Sequence, residues 1–111
     1  MRTAGPLDKL LLMIGRRRAV RVSGASMSPT LESGDVVLVK PGAALSAGDV
    51  VVTEHPFKRS VTIVKRISAI DGSRVSLLGD NPSESSDSRT FGSLPLERIR
   101  GKVVSVIRRG G

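Results

Sequence analysis

The stretch Ser60-Val61-Thr62-Ile63-Val64-Lys65-Arg66-Ile67-Ser68-Ala69-Ile70 decides the fold class. Six of its members are β-branched at Val61, Thr62, Ile63, Val64, Ile67 and Ile70, and Asp71-Gly72 ends it with turn chemistry. Such a run reads as a strand. Alternation then puts Lys65 on the face of Val61, Ile63 and Ile67, while Arg66 shares the other face with Thr62 and Ser68. Working outward, residues 20–22, 36–39, 50–53, 75–78 and 102–107 repeat the same composition, separated by Gly34-Asp35 and Gly48-Asp49. The expected class is all-β: curled antiparallel sheets or a partly open barrel, with at most one or two short helices. Those helices fall at residues 6–14 and, for one turn, at 95–98. Ser33-Gly34-Asp35-Val36-Val37 and Ala47-Gly48-Asp49-Val50-Val51 look alike, which reads as one turn chemistry used twice rather than a repeat fold.

At 111 residues the chain holds one core, and with two Phe and no Trp or Tyr that core is aliphatic. Residues 1–19 read as a basic, partly helical N-terminal segment, and residues 20–108 as the folded core. The absence of cysteine excludes disulfides, thiol nucleophiles and thiolate metal sites. His55 is the only histidine, so neither a zinc cage nor a histidine-rich site is expected, and no metal or organic cofactor is called for. The net charge of +8 suits an acidic partner, a membrane surface or nucleic acid. Nucleic acid is disfavoured, because basic clusters that bind it are usually interleaved with stacking aromatics. The run Leu10-Leu11-Leu12-Met13-Ile14 is far short of the ~20 apolar residues of a membrane span or the ~7–15 of a signal-peptide core. A soluble, cytoplasmic protein is therefore expected, with weak membrane-surface contact through that run and the neighbouring arginines Arg16, Arg17, Arg18 and Arg21.

Three segments carry chemistry. Ser23-Gly24-Ala25-Ser26-Met27-Ser28-Pro29-Thr30-Leu31 places serines where a strand ends and backbone N–H groups are free to face a carbonyl. Read alone, it is also an ordinary Ser/Gly/Pro loop. Lys65 either snorkels at a sheet edge or is desolvated among its β-branched neighbours. The difference is chemical: deprotonating a lysine of ordinary pKa at pH 7 costs about 4.6 kcal/mol, and burial lowers that pKa by roughly 3–5 units. The third segment, from Gly79-Asp80-Asn81 to Phe91-Gly92, is a polar, hydroxyl-rich loop. Between these segments, His55 before Pro56 reads as a turn residue.

Together and in this order, the segments resemble the boxes of the signal peptidase I superfamily of Ser/Lys proteases. Ser26 to Leu31, ending at Gly34-Asp35, is similar to its nucleophile box, Lys65-Arg66 to its general-base box, and Gly79 through Asp87-Ser88-Arg89 to Gly92 to its third. The resemblance implies the signal peptidase catalytic core as the fold, Ser26 as nucleophile and Lys65 as base. It further implies that Ser85 orients the lysine amine and that Asp87, Arg89 and Arg66 are structural charges tying the boxes together. The oxyanion hole would use the Ser26 N–H; where some relatives place a serine side chain as second donor, this chain has Gly24. The compact size and Gly48-Asp49-Val50-Val51-Val52 followed by His55-Pro56-Phe57 are most similar to nickel-type superoxide dismutase maturation proteases. That likeness implies a precursor substrate with a short N-terminal leader. Three other readings remain: an unanchored signal peptidase homologue acting on another precursor, a self-cleaving repressor with too little chain before Val20 for a DNA-binding domain, and a basic β-domain that binds an acidic partner without turnover. Lys65 discriminates the last, because a base cannot be replaced by an arginine, which stays protonated.

Overall fold

The computed structural model describes residues 2–3, 17–84 and 88–110. Eight strands form one sheet: β1 (Arg2–Thr3), β2 (Arg18–Arg21), β3 (Val36–Lys40), β4 (Val50–His55), β5 (Lys58–Asp71), β6 (Arg74–Leu78), β7 (Leu94–Pro95) and β8 (Ile99–Arg108). The antiparallel order is β2-β3-β8-β4-β5-β6-β7, and β1 joins β8 in parallel. The class is all-β, as the strand composition implies. The two end strands, β2 and β7, are not paired with each other, so the sheet does not close into a barrel. Helical structure among the described residues is limited to single turns at Pro82–Glu84, Ser88–Phe91 and Leu96–Arg98, the last at the position expected from the sequence. The helix expected at residues 6–14 lies outside the described residues.

Two long strands organise the sheet by changing partners along their length. β8 pairs with β3 along one edge, and on the other edge with β4 through Ile99–Lys102 and then with β1 at Ser105 and Val106. β5 pairs with β4 up to Arg66, and from Arg66 onward its opposite edge pairs with β6. The edge of β5 over residues 58–65 that faces away from β4 has no described strand beside it.

The sheet buries both faces, so its strands carry apolar residues at consecutive positions. β4 shows this directly: Val50 and Val52 enter one cluster with Val37, Val39, Val64, Val103 and Val106, while Val51 enters another with Ile67, Val75, Leu77 and Leu94. The first cluster is completed by Val22, Met27 and Leu31, which lie outside any strand.

The two look-alike segments build the same turn. Asp35 accepts from the Glu32 N–H at 3.0 Å and Asp49 from the Ser46 N–H at 2.8 Å, and each preceding glycine, Gly34 or Gly48, takes φ near 94°. A side chain at that φ would be strained, which explains the Gly-Asp pairing. Asp35 also accepts from the Gly110 N–H and from Arg109, so the C-terminus is fastened to the loop that precedes β3.

Gly101 sits where β8 crosses β4, opposite Val52. A Cβ there would lie 2.5 Å from Val39 Cγ1 and 3.0 Å from the Lys40 carbonyl oxygen. Gly101→Ala should therefore cost about 1–3 kcal/mol through overpacking. Urea denaturation should show a lower midpoint with an unchanged slope.

Candidate active site

Ser26 rides on a loop that is anchored from beneath. Its neighbour Met27 is 1% exposed and Leu31 is fully buried, both in the first apolar cluster, so burial of these two side chains fixes the half-buried serine between them and Gly24. The loop is further closed by the Leu31 N–H on the Met27 carbonyl at 2.9 Å and the Ser28 N–H on the Ala25 carbonyl at 3.1 Å. The Ser28–Pro29 peptide is cis. Gly24 has φ of 82°, a conformation that favours glycine, and its N–H donates to Ser33 Oγ at 3.3 Å.

Lys65 is 3% exposed. It pairs with Val51 across the sheet and shares its face with Ile67, members of the second apolar cluster. Of the two readings open from the sequence, snorkelling is thereby eliminated and desolvation remains. A cleft of about 320 Å³ brings the pieces together: one wall is residues 20–26, the other residues 61–65, and both Ser26 and Lys65 line it.

The third segment holds the first two in place through residues to which the sequence reading gave no role. The Asp80 carboxylate takes two hydrogen bonds from Arg66, Nε to Oδ1 at 2.9 Å and Nη2 to Oδ2 at 2.8 Å, and a third from the Thr30 hydroxyl. Arg66 Nη1 also reaches the Gly48 carbonyl at 2.7 Å. Asn81 donates its N–H to the Ser26 carbonyl at 2.8 Å and its side-chain amide to the Ala25 carbonyl at 3.0 Å. Asp80 and Asn81 thus join the Ser26 loop, β5 and the third segment into one unit. The signal was legible in Gly79-Asp80-Asn81, where a carboxylate and an amide stand together at a strand end. The Arg66 guanidinium holds the Asp80 carboxyl below its ordinary pKa, with the Thr30 hydroxyl adding to the effect against partial burial.

Of the expected residues, Arg66 makes the structural ion pair, with Asp80 as its partner. Arg89 is exposed in the turn Ser88–Phe91. Ser85 and Asp87 lie outside the described residues.

His55 differs from its expected place in a turn. It is the last residue of β4, 7% exposed, and it lines the cleft. It pairs with Lys58 across the Pro56-Phe57 turn, and its ring meets Phe91 edge-on at 5.4 Å. Nδ1 accepts the Phe57 N–H at 3.1 Å. Burial first, and then the positive charges of Lys58 and Lys65, lower its pKa, so the neutral imidazole is favoured.

A model of the Peptidase S24-like family matches residues 7–104. The chain belongs to that family. Among curated relatives of this S24-like chain is mitochondrial inner membrane protease subunit 1 of Xenopus tropicalis, 32% identical over 73% of this chain and 63% of the relative. The same-named subunit of Schizosaccharomyces pombe is 34% identical, with 75% and 68% covered. Mitochondrial ATP-independent inner membrane protease subunit 1a of Arabidopsis thaliana is 34% identical, with 75% and 66% covered. The chain spans about two thirds of the length of these relatives. Their names support a signal-peptidase-like protease and overturn the expectation of a cytoplasmic protein, since they are subunits of inner membrane enzymes. No described helix is long and apolar enough to cross a membrane.

Two outcomes follow from the charges around this S24-like cleft. Asp80 has a lowered carboxyl pKa in the fold, so its stabilisation is present above about pH 3.9 and is lost as pH falls through the folded value. Asp80→Asn should cost about 1.5–3 kcal/mol at pH 7 and flatten the acid limb of a stability–pH curve. His55 also has a lowered pKa, so below about pH 6.5 the unfolded chain takes up a proton that the fold resists, and stability falls with pH. Thermal melts from pH 8 to 5 should show that decline in the wild type and a shallower one in His55→Gln.

Proposed function

We propose that this protein is a serine endopeptidase working through a Ser26/Lys65 dyad, with residues 20–108 as the catalytic core, and that it removes a short N-terminal leader from a precursor protein. The observation that carries the reading is that a serine on an anchored loop and a buried lysine line one cleft. The family and the relatives' names support peptidase chemistry.

In this reading the substrate lies extended in the cleft and adds to the open edge of β5 over residues 58–65. Ser26 Oγ attacks the scissile carbonyl carbon while Lys65 Nζ takes its proton. The oxygen that becomes negative is met by the Ser26 N–H. The tetrahedral intermediate collapses, the leaving amine receives the proton from Lys65, and water, activated by the same amine, releases the acyl group. Burial of Lys65 serves this chemistry because it disfavours the charged form that cannot act as a base. Ser85 orients that amine, and Asp87 and Arg89 add to the charge ties around Arg66. The setting is membrane-associated, in keeping with the relatives' names. The narrower expectation of a nickel-type superoxide dismutase precursor gains no support from those names, and it enters here only as one substrate to test.

The test is incubation of purified protein with leader-bearing precursors, the nickel dismutase precursor among them, with mass spectrometry of the new amino terminus. Wild type should cut; Ser26→Ala should not. Lys65→Ala and Lys65→Arg should each lose about 10²–10⁴-fold in rate, the arginine variant because its side chain stays protonated. The wild-type rate should rise with pH to a plateau. Equal cleavage by the lysine variants, or a rate flat from about pH 6 to 9, would sink the dyad.

A further inference from the structure

Three cations, Arg21, Lys58 and Lys65, line the cleft, and no described residue lining it carries a carboxylate. Arg21 stands on one wall and Lys58 on the other, both exposed. Four other surface cations face acids: Arg66 meets Asp80, Arg100 meets Glu54, Lys102 meets Asp49 and Arg109 meets Asp35; Arg18, Lys40, Arg98 and Arg108 stand exposed away from the cleft. Arg21 and Lys58 make no ion pair or side-chain hydrogen bond with a described residue. Two exposed cations without a partner among the described residues thus flank this groove.

Their position along it is set by the strands. Arg21 is the last residue of β2, five before Ser26, and Lys58 is the first of β5, seven before Lys65. At about 3.3 Å per residue of extended chain, with the bend at Gly24 shortening the path from Arg21, they face substrate residues within about seven of the scissile bond. We infer that the groove selects precursor segments bearing Asp or Glu at such a position, drawn in by Arg21 and Lys58. The inference rests on the cleft being the substrate groove, as proposed above, and it names the class of substrate.

The geometry makes two further demands that an acidic side chain meets. Burial and two nearby lysines already favour neutral His55, so a cationic substrate residue would add one more like charge to the groove. An exposed Arg or Lys gains from a carboxylate only modestly and in a salt-dependent way, so the preference belongs in binding and on-rate rather than in the chemical step.

Binding is therefore measured separately from turnover. The Ser26→Ala protein is titrated with short fluorescein-labelled Ala/Val peptides carrying a single Glu, Gln or Lys at each successive position from the centre, and anisotropy gives Kd. The Glu peptide should bind about three- to tenfold more tightly than the Gln peptide at one or two positions, and the difference should vanish at high salt. Arg21→Glu with Lys58→Glu should reverse the order in favour of Lys. Equal Kd for Glu and Gln at every position overturns the inference. So does equal peptide binding accompanied by capture on anionic vesicles, which would assign the two cations to a lipid surface. Wild-type cleavage of the same peptides reads the protease proposal independently, since the acidic preference is scored whether or not a peptide is cut.

Discussion

The Asp80 carboxylate is the constraint on which the site depends. It is shared by a guanidinium on β5 and a hydroxyl in the Ser26 loop, two segments far apart in sequence, and it sits at the mouth of the third. Three charge-assisted hydrogen bonds on one partly buried carboxylate fix distance and orientation together, which a single contact cannot do. Because Arg66 follows Lys65 directly, fixing the guanidinium also fixes the strand that carries the buried amine. Asn81 extends the same control to the carbonyls of Ala25 and Ser26. Asp80 and Asn81 thereby tie the Ser26 loop, β5 and the start of the third segment together.

The far end of the Ser26 loop is held by a second aspartate. Asp35 is 1% exposed and accepts from the Glu32 and Gly110 N–H groups and from Arg109. A buried carboxylate is costly unless its lone pairs are filled, and here they are filled from both ends of the core. The backbone bond to Glu32 has the largest effect in lowering the Asp35 pKa, ahead of the opposing cost of burial. The serine is therefore presented on a segment pinned at Met27 and Leu31 by apolar burial, at Thr30 by Asp80 and at its close by Asp35. Preorganisation of this kind is what lets a short loop hold a reactive group without a helix behind it.

The strands were legible because β-branched runs and Gly-Asp turns both act locally: Gly48-Asp49 caps its own turn whatever surrounds it. The class of Lys65 was not legible. Alternation shows which face a lysine occupies but not what covers that face, and only the pairing with Val51 beside Ile67 distinguishes burial from snorkelling. Arg66 was read as a structural charge, but its Asp80 partner went unassigned because a loop aspartate finds its cation through tertiary folding. His55 was misread for a related reason. Pro56 does sit in a turn, yet His55 pairs with Lys58 across that turn as the last residue of β4, and its imidazole packs on Phe91, more than thirty residues away. The cytoplasmic expectation failed because it was built on what the chain lacks, and the lack of an apolar span does not say where a protein works.

The electrostatics of the cleft complete the reasoning that links its two halves. In the proposed dyad Lys65 must lose its proton to act as a base, and each like charge nearby would favour that loss. Arg21, Lys58 and Lys65 line the same space as His55, whose neutral form is favoured by burial and by the two lysines. A carboxylate placed beside Lys65 would work against this, because it would stabilise the ammonium. An acidic substrate residue is compatible with the proposed chemistry only if it is held at the other end, against Arg21 and Lys58 and several residues from Ser26. Under the proposed mechanism, separation along the groove would let one cleft use positive charge for recognition at one end and proton transfer at the other.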